Sequence, residues 1–136
     1  MELKGKKVLV LGLARSGMAA VKVLLEKGAV ITVSEAKNKE DIKELPFLEE
    51  HGVEVVGQQE EVFERDFDLV IKNPGIPYKK WFVVRLEERK IPVITEIELA
   101  FVTAKPQHYA AITGTNGKTT TTTLTYEILN KAHPGI

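Results

Sequence analysis

Residues 8–17, V-L-V-L-G-L-A-R-S-G, predict a buried strand that passes through a glycine turn into a helix. The continuous apolar run Val8–Leu11 is typical of a parallel strand that helices cover on both faces. Beyond Gly12, the segment Ser16–Lys27 carries apolar residues close to helical spacing until a glycine stops it. Ala29–Val33 is a second, β-branched run. Together these segments predict a strand–helix–strand crossover of about 30 residues.

The alternation of strand and helix patterns continues along the chain. The charged amphipathic segment Lys39–His51 predicts a helix that Pro46 interrupts, and Asn73–Gly75 predicts a turn. Regular alternation favours an α/β fold, a Rossmann-like, open, mostly parallel five-stranded sheet with helices on both faces. The other predicted elements are strands over Val53–Val56, Leu69–Ile71 and Pro92–Ile94 and a helix over Trp81–Arg89.

A second unit is predicted to begin after Thr95, because the regular alternation of strand and helix patterns changes there. One strand and one helix cannot bury a core of their own. We therefore predict a complete domain over residues 1–94, and over residues 95–136 a linker and the truncated beginning of another domain. We expect this tail to be mobile or held by a neighbouring molecule, and a mobile tail would show fast amide exchange throughout residues 105–136. The predicted elements of this part are a helix over Glu96–Val102, a linker over Lys105–Gln107, a strand over Tyr109–Ile112 and a helix over Lys118–Lys131.

Composition limits the classes of function. The 136 residues have zero net charge, 43% hydrophobic residues and no cysteine, which excludes disulfides and thiolate metal sites. The absence of a basic bias argues against nucleic acid and anionic membranes as partners. No signal peptide or run of about 20 apolar residues is present, so we expect a soluble, cytoplasmic monomer. The three histidines, His51, His108 and His133, are scattered without metal-ligand spacing.

The first chemical motif is the turn between the first strand and the first helix. A dinucleotide fingerprint would read G-x-G-x-x-G, with an acidic residue about 20 positions later. Gly12, Gly17 and Glu35 fit that pattern, but Ala14 stands where the middle glycine would admit a pyrophosphate. The motif therefore leaves three interpretations open: a dinucleotide site, another phosphate at the helix N-terminus, or a tight turn alone.

The second motif is T-G-T-N-G-K-T-T, residues 113–120, between an apolar run and a helix pattern. Glycines let backbone N–H groups turn toward phosphate oxygens, and the Lys118 ammonium adds a positive charge. The hydroxyl of Thr119 is placed to bind Mg²⁺. The strict phosphate-loop pattern fails, because Ile112 stands where it requires glycine. We nevertheless predict a phosphate site here.

This second motif resembles the ATP loop of the Mur ligases and of the related folylpolyglutamate synthases. Three further stretches are similar to the branch of Mur ligases that adds D-glutamate: residues 8–17, N-P-G-I at 73–76 and I-T-E-I-E-L at 94–99. Folylpolyglutamate synthases lack such an amino-terminal uridine domain. The resemblance covers essentially the whole chain in the same order.

The resemblance implies site residues for two nucleotides. The UDP part of a substrate would lie along Leu13, Ala14, Arg15 and Ser16, with Glu35, Ala36 and Lys37 near the uridine and Asn73, Pro74 and Gly75 as the opposite wall. ATP would be held by Gly114, Thr115, Asn116, Gly117, Lys118, Thr119 and Thr120, with Thr119 on Mg²⁺.

The implied chemistry is ATP-dependent amide formation between UDP-N-acetylmuramoyl-L-alanine and D-glutamate, a step of peptidoglycan precursor synthesis. The family's metal-binding acid and histidine, its modified lysine and its amino-acid-binding domain have no counterpart in the 136 residues. We therefore assign no catalytic residue and expect this chain alone to be inactive. Two other interpretations remain, an NAD-dependent oxidoreductase domain and a non-catalytic nucleotide-binding module.

Overall fold

The computed structural model describes residues 1–104 and 110–134, apart from the side chain of Arg15. The chain divides into two compact units, Met1–Lys105 and Pro106–Ile136. The strands of the first unit are β1 (Lys7–Leu11), β2 (Val30–Ser34), β3 (Glu54–Val56), β4 (Leu69–Lys72) and β5 (Val93–Thr95). Its helices are α1 (Arg15–Glu26), α2 (Leu45–Glu50), α3 (Glu60–Phe63), α4 (Trp81–Glu88) and α5 (Glu96–Ala104), with a 3-10 turn at Lys39–Asp41.

The sheet has the order β3-β2-β1-β4-β5, and all four pairings are parallel. In the register, Leu11 pairs with Ser34 on one side and with Lys72 on the other. The chain builds β1, β2 and β3 outward in one direction and then crosses to the far side of β1 for β4. This reversal is the topological switch point at which open α/β sheets bind ligands. The predicted Rossmann-like α/β fold is confirmed.

Each face of the sheet packs against its own hydrophobic cluster, because successive residues of a strand point to opposite faces. Val8 and Val10 of β1 belong to one cluster, which also takes in residues of α1, α2 and α5. Leu9 and Leu11 belong to the other, together with residues of α3 and α4. Burial on both faces explains why β1 is apolar throughout and does not alternate with polar residues.

Two parts of this unit differ from the sequence predictions. The helix expected over Lys39–His51 is a 3-10 turn followed by α2, and Pro46 lies in the first turn of α2. Proline is tolerated there because the first N–H groups of a helix have no intrahelical partner, so Pro46 starts the helix and does not interrupt it. The short helix α3 was not predicted, because its flanking charges hide the buried pair Val62 and Phe63.

The described part of the second unit, residues 110–134, contains a loop followed by α6 (Lys118–Ala132). The strand predicted over Tyr109–Ile112 is wrong for residues 110–112, and Tyr109 lies outside the described residues. A strand needs a neighbouring strand for its backbone hydrogen bonds, and residues 110–134 contain none. The predicted linker Lys105–Gln107 also lies outside the described residues. None of the described helices has the length and hydropathy required to cross a bilayer.

Candidate functional site

The turn after β1 depends on both of its glycines. Gly12 has φ of +84°, a left-handed conformation that side chains disfavour, and its N–H donates to Ser34 O at 2.9 Å. Gly17 lies so close to this turn that an added Cβ would stand 2.1 Å from Gly12 O. The two glycines therefore bring the start of α1 directly onto the end of β1, whatever ligand is bound.

The N-terminus of α1 faces the carboxyl edge of the sheet and has no cap. The N-cap residue Ala14 makes no side-chain capping hydrogen bond, and the first turn carries no acidic residue. The first N–H groups of a helix have no partner within it, and the helix dipole favours a negative charge beside them. Arg15 begins the helix, but its side chain lies outside the described residues. This end of α1 can therefore hold an anion.

Glu35, which follows β2, ties that strand to the turn after β1. Its Oε2 accepts a hydrogen bond from the Leu13 N–H at 2.7 Å, and its Oε1 accepts one from the Ala36 N–H at 2.8 Å. The Lys37 N–H lies 3.4 Å from the same Oε1. Both oxygens are thus engaged with backbone, and the Leu13 N–H is not free for a phosphate.

The turn after β4 contacts α1 through Asn73. The Ile76 N–H donates to Asn73 O at 3.0 Å, and the Gly75 N–H donates to Asn73 Oδ1 at 2.9 Å. The amide of Asn73 then donates from Nδ2 to Ser16 Oγ at 2.9 Å. This bond joins the carboxyl end of β4 to the N-terminus of α1 across the switch point.

Lys72, the last residue of β4, was missed by the sequence analysis. It is only 1% exposed, and its Nζ donates to Ile76 O at 2.6 Å and to Asn73 O at 3.2 Å. The Nζ also lies 4.2 Å from the centroid of the Tyr78 ring. A charged residue directly after the apolar run Leu69–Ile71 was the available signal, since such a strand is buried on both faces.

These elements enclose a cleft of about 530 Å³ at the carboxyl edge of the sheet. The predicted residues that line it are Leu13, Ala14, Glu35, Ala36, Lys37 and Asn73. Ser16 contributes through its bond to Asn73, whereas Pro74 and Gly75 are exposed in the turn and are absent from the described lining. The sequence analysis missed six lining residues, Asp41, Ile42, Lys43, Glu44, Gln58 and Ile76.

A second hollow of about 480 Å³ continues this cleft over the ends of β2 and β3. The two share Glu35, Ala36, Lys37 and Gln58 in their linings. An extended ligand that begins at α1 therefore has a continuous path along the carboxyl edge toward β3. Both lysine and carboxylate side chains line this path, so its charge is mixed.

The carboxyl groups with displaced pKa values lie away from the cleft. A hydrogen bond from the Lys7 N–H and one from the Lys6 ammonium hold the pKa of Asp68 below its ordinary value. The guanidinium of Arg65 similarly lowers the pKa of Glu54. Asp68 lies at the opposite, amino edge of β1 and β4. These shifts therefore report on fold stability, and no acid–base role follows from them.

The second unit presents the predicted phosphate loop before α6. Gly117 has φ of +74° and precedes the helix, whose first backbone bond runs from the Thr121 N–H to Gly117 O at 2.9 Å. Helix geometry leaves the N–H groups of Lys118 and the next residues without intrahelical partners. The Lys118 ammonium folds back onto the carbonyls of Gly114 and Thr115. Thr119 and Thr120 are exposed, so this loop fits a polyphosphate and a hydroxyl-bound metal ion.

No group of three or more histidine, cysteine or carboxylate side chains suited to a metal occurs within residues 1–104 and 110–134. His51 is exposed, with Nδ1 2.8 Å from Phe47 O, and His108 lies outside the described residues.

Sequence comparison identifies a family model over most of the first unit. Residues 6–95 match the model described as Mur ligase MurD-like, N-terminal domain. The chain is also 52% identical over 129 residues to a UDP-N-acetylmuramoylalanine–D-glutamate ligase of Lactococcus lactis subsp. cremoris strain MG1363. The match covers 93% of this chain and 28% of that relative, so the chain spans little more than a quarter of the relative's length.

Structure comparison gives neighbours with the same fold. A UDP-N-acetylmuramate-alanine ligase of Thermotoga maritima superposes with a TM-score of 0.60 at 26% identity, over 92% of this chain and 29% of that one. A murein peptide ligase of Psychrobacter arcticus 273-4 gives a TM-score of 0.67 over 94% of this chain and 27% of the other. At 22% identity, the second likeness shows the fold alone.

Proposed function

The chain belongs to the family of Mur ligase MurD-like N-terminal domains, and from that membership we propose that its cleft binds the UDP part of UDP-N-acetylmuramoyl-L-alanine. The relatives of known activity are UDP-N-acetylmuramoylalanine–D-glutamate ligases. The proposal for the whole protein is accordingly the addition of D-glutamate to that substrate during peptidoglycan synthesis.

One observation supports the proposal: three separate segments that the family resemblance assigns to UDP meet at one edge of the sheet. The turn at Leu13, the carboxylate of Glu35 and the amide of Asn73 all line the same cleft. They come from the ends of three adjacent strands, β2, β1 and β4. Ligands of open α/β sheets bind outside these strand ends, where helix N-termini converge.

We assign the diphosphate to the N-terminus of α1. Its uncapped N–H groups and the helix dipole favour a doubly charged group there. The hydrogen bond from Asn73 Nδ2 to Ser16 Oγ holds the turn after β4, which forms the opposite wall of the cleft, close to these N–H groups. Lys37 lines the side of the cleft assigned to the uridine. Side chains and helix N–H groups therefore present donors at both ends of a UDP-sized ligand.

The local contacts disfavour the dinucleotide interpretation. The methyl group of Ala14 stands where that fingerprint uses glycine to admit a pyrophosphate close to the backbone. We therefore place NAD behind UDP as a ligand.

For the second unit we propose ATP and Mg²⁺ as ligands. In the whole protein they would supply the phosphoryl group that activates the substrate carboxylate for attack by D-glutamate. Of this chain's residues, Gly114–Gly117 would offer backbone N–H groups, Lys118 would bind phosphate oxygens and Thr119 would bind the metal ion. None of these 136 residues has an assigned role on the reacting atoms, so we expect binding without turnover. A cytoplasmic location belongs to the same proposal.

Isothermal calorimetry of the purified chain tests this function. We expect UDP and UDP-N-acetylmuramoyl-L-alanine to bind, and NAD not to bind at the same concentrations. Asn73→Ala removes the bond to Ser16 that holds this wall against α1, so UDP affinity should fall by up to about tenfold, which corresponds to the net free energy of one hydrogen bond. Lys118→Met, in the other unit, should leave UDP affinity unchanged. Binding of NAD without UDP would instead favour an oxidoreductase domain.

A further inference from the structure

Lys72 is a buried charge that the assigned nucleotide contacts do not use. Its side chain is 1% exposed at the carboxyl end of β4, in register with Leu11 of β1. Removing an ammonium from water is costly unless it is paired or fully hydrogen-bonded. A lysine in this position therefore requires a physical reason.

The donors of Lys72 are matched to neutral groups. Two N–H bonds go to Ile76 O at 2.6 Å and Asn73 O at 3.2 Å, and the ammonium lies 4.2 Å from the Tyr78 ring centroid. An ammonium has three donors and no acceptor, and an aromatic face attracts a cation. Across residues 1–104 and 110–134, every ion pair found joins other residues. The positive charge is therefore solvated by the turn but not neutralised by a carboxylate.

The Lys72 ammonium lies directly behind one wall of the cleft. Both carbonyls that Lys72 holds belong to Asn73 and Ile76, which line the cleft. Ile76 also approaches the other wall, since its Cδ1 would lie 3.7 Å from a Cβ built on Gly12. The ammonium thus lies one residue behind the wall that faces the diphosphate proposed at the N-terminus of α1. Within a poorly hydrated wall its field is screened much less than that of an exposed lysine.

We propose that Lys72 is a positioning residue for the nucleotide. It anchors the turn over residues 73–76 from behind, and its buried charge raises the affinity of the cleft for the anionic diphosphate. This inference rests on the proposed function, because it requires a ligand whose phosphates face that turn. Although the chain has zero net charge, its cleft would then prefer phosphates because Lys72, which has no carboxylate partner among the described residues, and the N-terminus of α1 both lie beside it.

A purely structural role for Lys72 makes a different prediction. If the lysine only holds the turn, its loss disturbs the whole wall and weakens every ligand of the cleft to a similar extent. If its charge acts on the diphosphate, the loss grows with the number of phosphates. Uridine, UMP and UDP share the base and sugar and differ in charge, so these three ligands separate the two roles.

The experiment is calorimetry of the 136-residue chain with these three ligands at low and at high salt. Lys72→Gln keeps donors for the carbonyls without the charge, so it should weaken UDP by about tenfold, as expected for loss of a charge close to an anion, and leave uridine within about twofold. Lys72→Met also removes the donors that anchor the turn, so it should weaken UDP at least as much and should weaken uridine to a smaller extent. The control Lys6→Met removes an exposed lysine that pairs with Asp68 at 3.2 Å and should change none of the affinities.

Equal weakening of uridine and UDP would overturn the inference, and so would full UDP affinity in Lys72→Gln. If the wild-type chain binds neither uridine nor UDP, the proposed function itself is wrong. The wild-type titration shows this outcome before any variant is made. Should the variants fail to fold, the wild-type Lys72 ammonium can be followed by nitrogen-15 NMR. Its resonance should shift on adding UDP but not uridine, and an equal shift with both would refute the charge effect.

Discussion

Glu35 contributes to the site by fixing the backbone around it. Replacing Glu35 by alanine leaves the Leu13 and Ala36 N–H groups without their acceptor at the end of β2. We expect the free energy of unfolding to fall by about 2 kcal/mol, the usual value of hydrogen bonds to a charged group. Urea denaturation measures this loss. Glu87→Ala, at an exposed position of α4, should change the stability by less than about 0.5 kcal/mol.

Gly17 at the start of α1 and Gly52 after α2 differ in the space around them. A Cβ on Gly17 would stand 2.1 Å from Gly12 O, so backbone must move to admit it. Gly17→Ala should therefore destabilise the chain by about 2–3 kcal/mol, near the upper end for overpacking. Gly52→Ala is the matched control, because it has φ of +69° but open space around it, and should cost only about 1–2 kcal/mol. We expect the urea midpoint of Gly17→Ala to be lower than that of Gly52→Ala. Equal midpoints would contradict the role given to Gly17.

At the scale of residues, the spacing of the motif residues along the chain predicted part of the cleft, whereas the residues that depend on tertiary burial were not predicted. Gly12, Gly17 and Glu35 were found from sequence because a strand–turn–helix motif fixes their intervals along the chain. Gln58 and Lys43, which also line the cleft, come from loops whose path depends on tertiary packing. Lys72 was missed because a lysine is ordinarily exposed, and only the completed turn supplies carbonyls to bury it.

Among the elements, the junction of β1 with β4 carries a pH dependence. The Lys7 N–H donates to Asp68 Oδ2 at 2.8 Å, which with Lys6 holds the pKa of Asp68 below its ordinary value of 3.8. A carboxyl group with a depressed pKa stabilises the fold above its unfolded pKa. That contribution is lost as the pH falls through the lower, folded value.

Asp68→Asn should therefore reduce the loss of stability on acidification. We expect the wild-type urea midpoint to decrease as the pH falls from about 5 to about 2, through the ordinary pKa of 3.8 and the lower folded value, and the variant's midpoint to decrease less. Glu2→Gln removes one exposed carboxylate of the same charge and serves as the control. Identical pH profiles for wild type and Asp68→Asn would show that this carboxyl group does not couple β1 to β4.

The elements predicted best from the sequence are those whose packing partners lie next to them in the chain. All five strands of the sheet were predicted within one or two residues, because their apolar runs are buried by helices next to them in the chain. The strand over Tyr109–Ile112 was wrong for residues 110–112, since an apolar run states a preference for burial but provides no paired strand. The helix α6 was predicted correctly from its loop and length.

For the whole molecule, the distribution of charge matters more than its sum. The chain has zero net charge, yet one edge of its sheet combines an uncapped helix N-terminus with a buried lysine. Composition alone could exclude a generally basic surface but could not locate this edge. The strand order locates it, because the switch beside β1 brings the ends of β2, β1 and β4 together.

Binding of UDP at this edge is best tested by nitrogen-15 NMR of the chain titrated with UDP. We expect the largest amide shifts at Leu13–Ser16, at Glu35–Lys37 and in the turn at Asn73, Gly75 and Ile76, which lie at or beside the cleft. The amides of Lys7 and Asp68, at the amino edge, should not move. Shifts centred on the amino edge, or no shift at millimolar UDP, would show that UDP does not bind at the carboxyl edge.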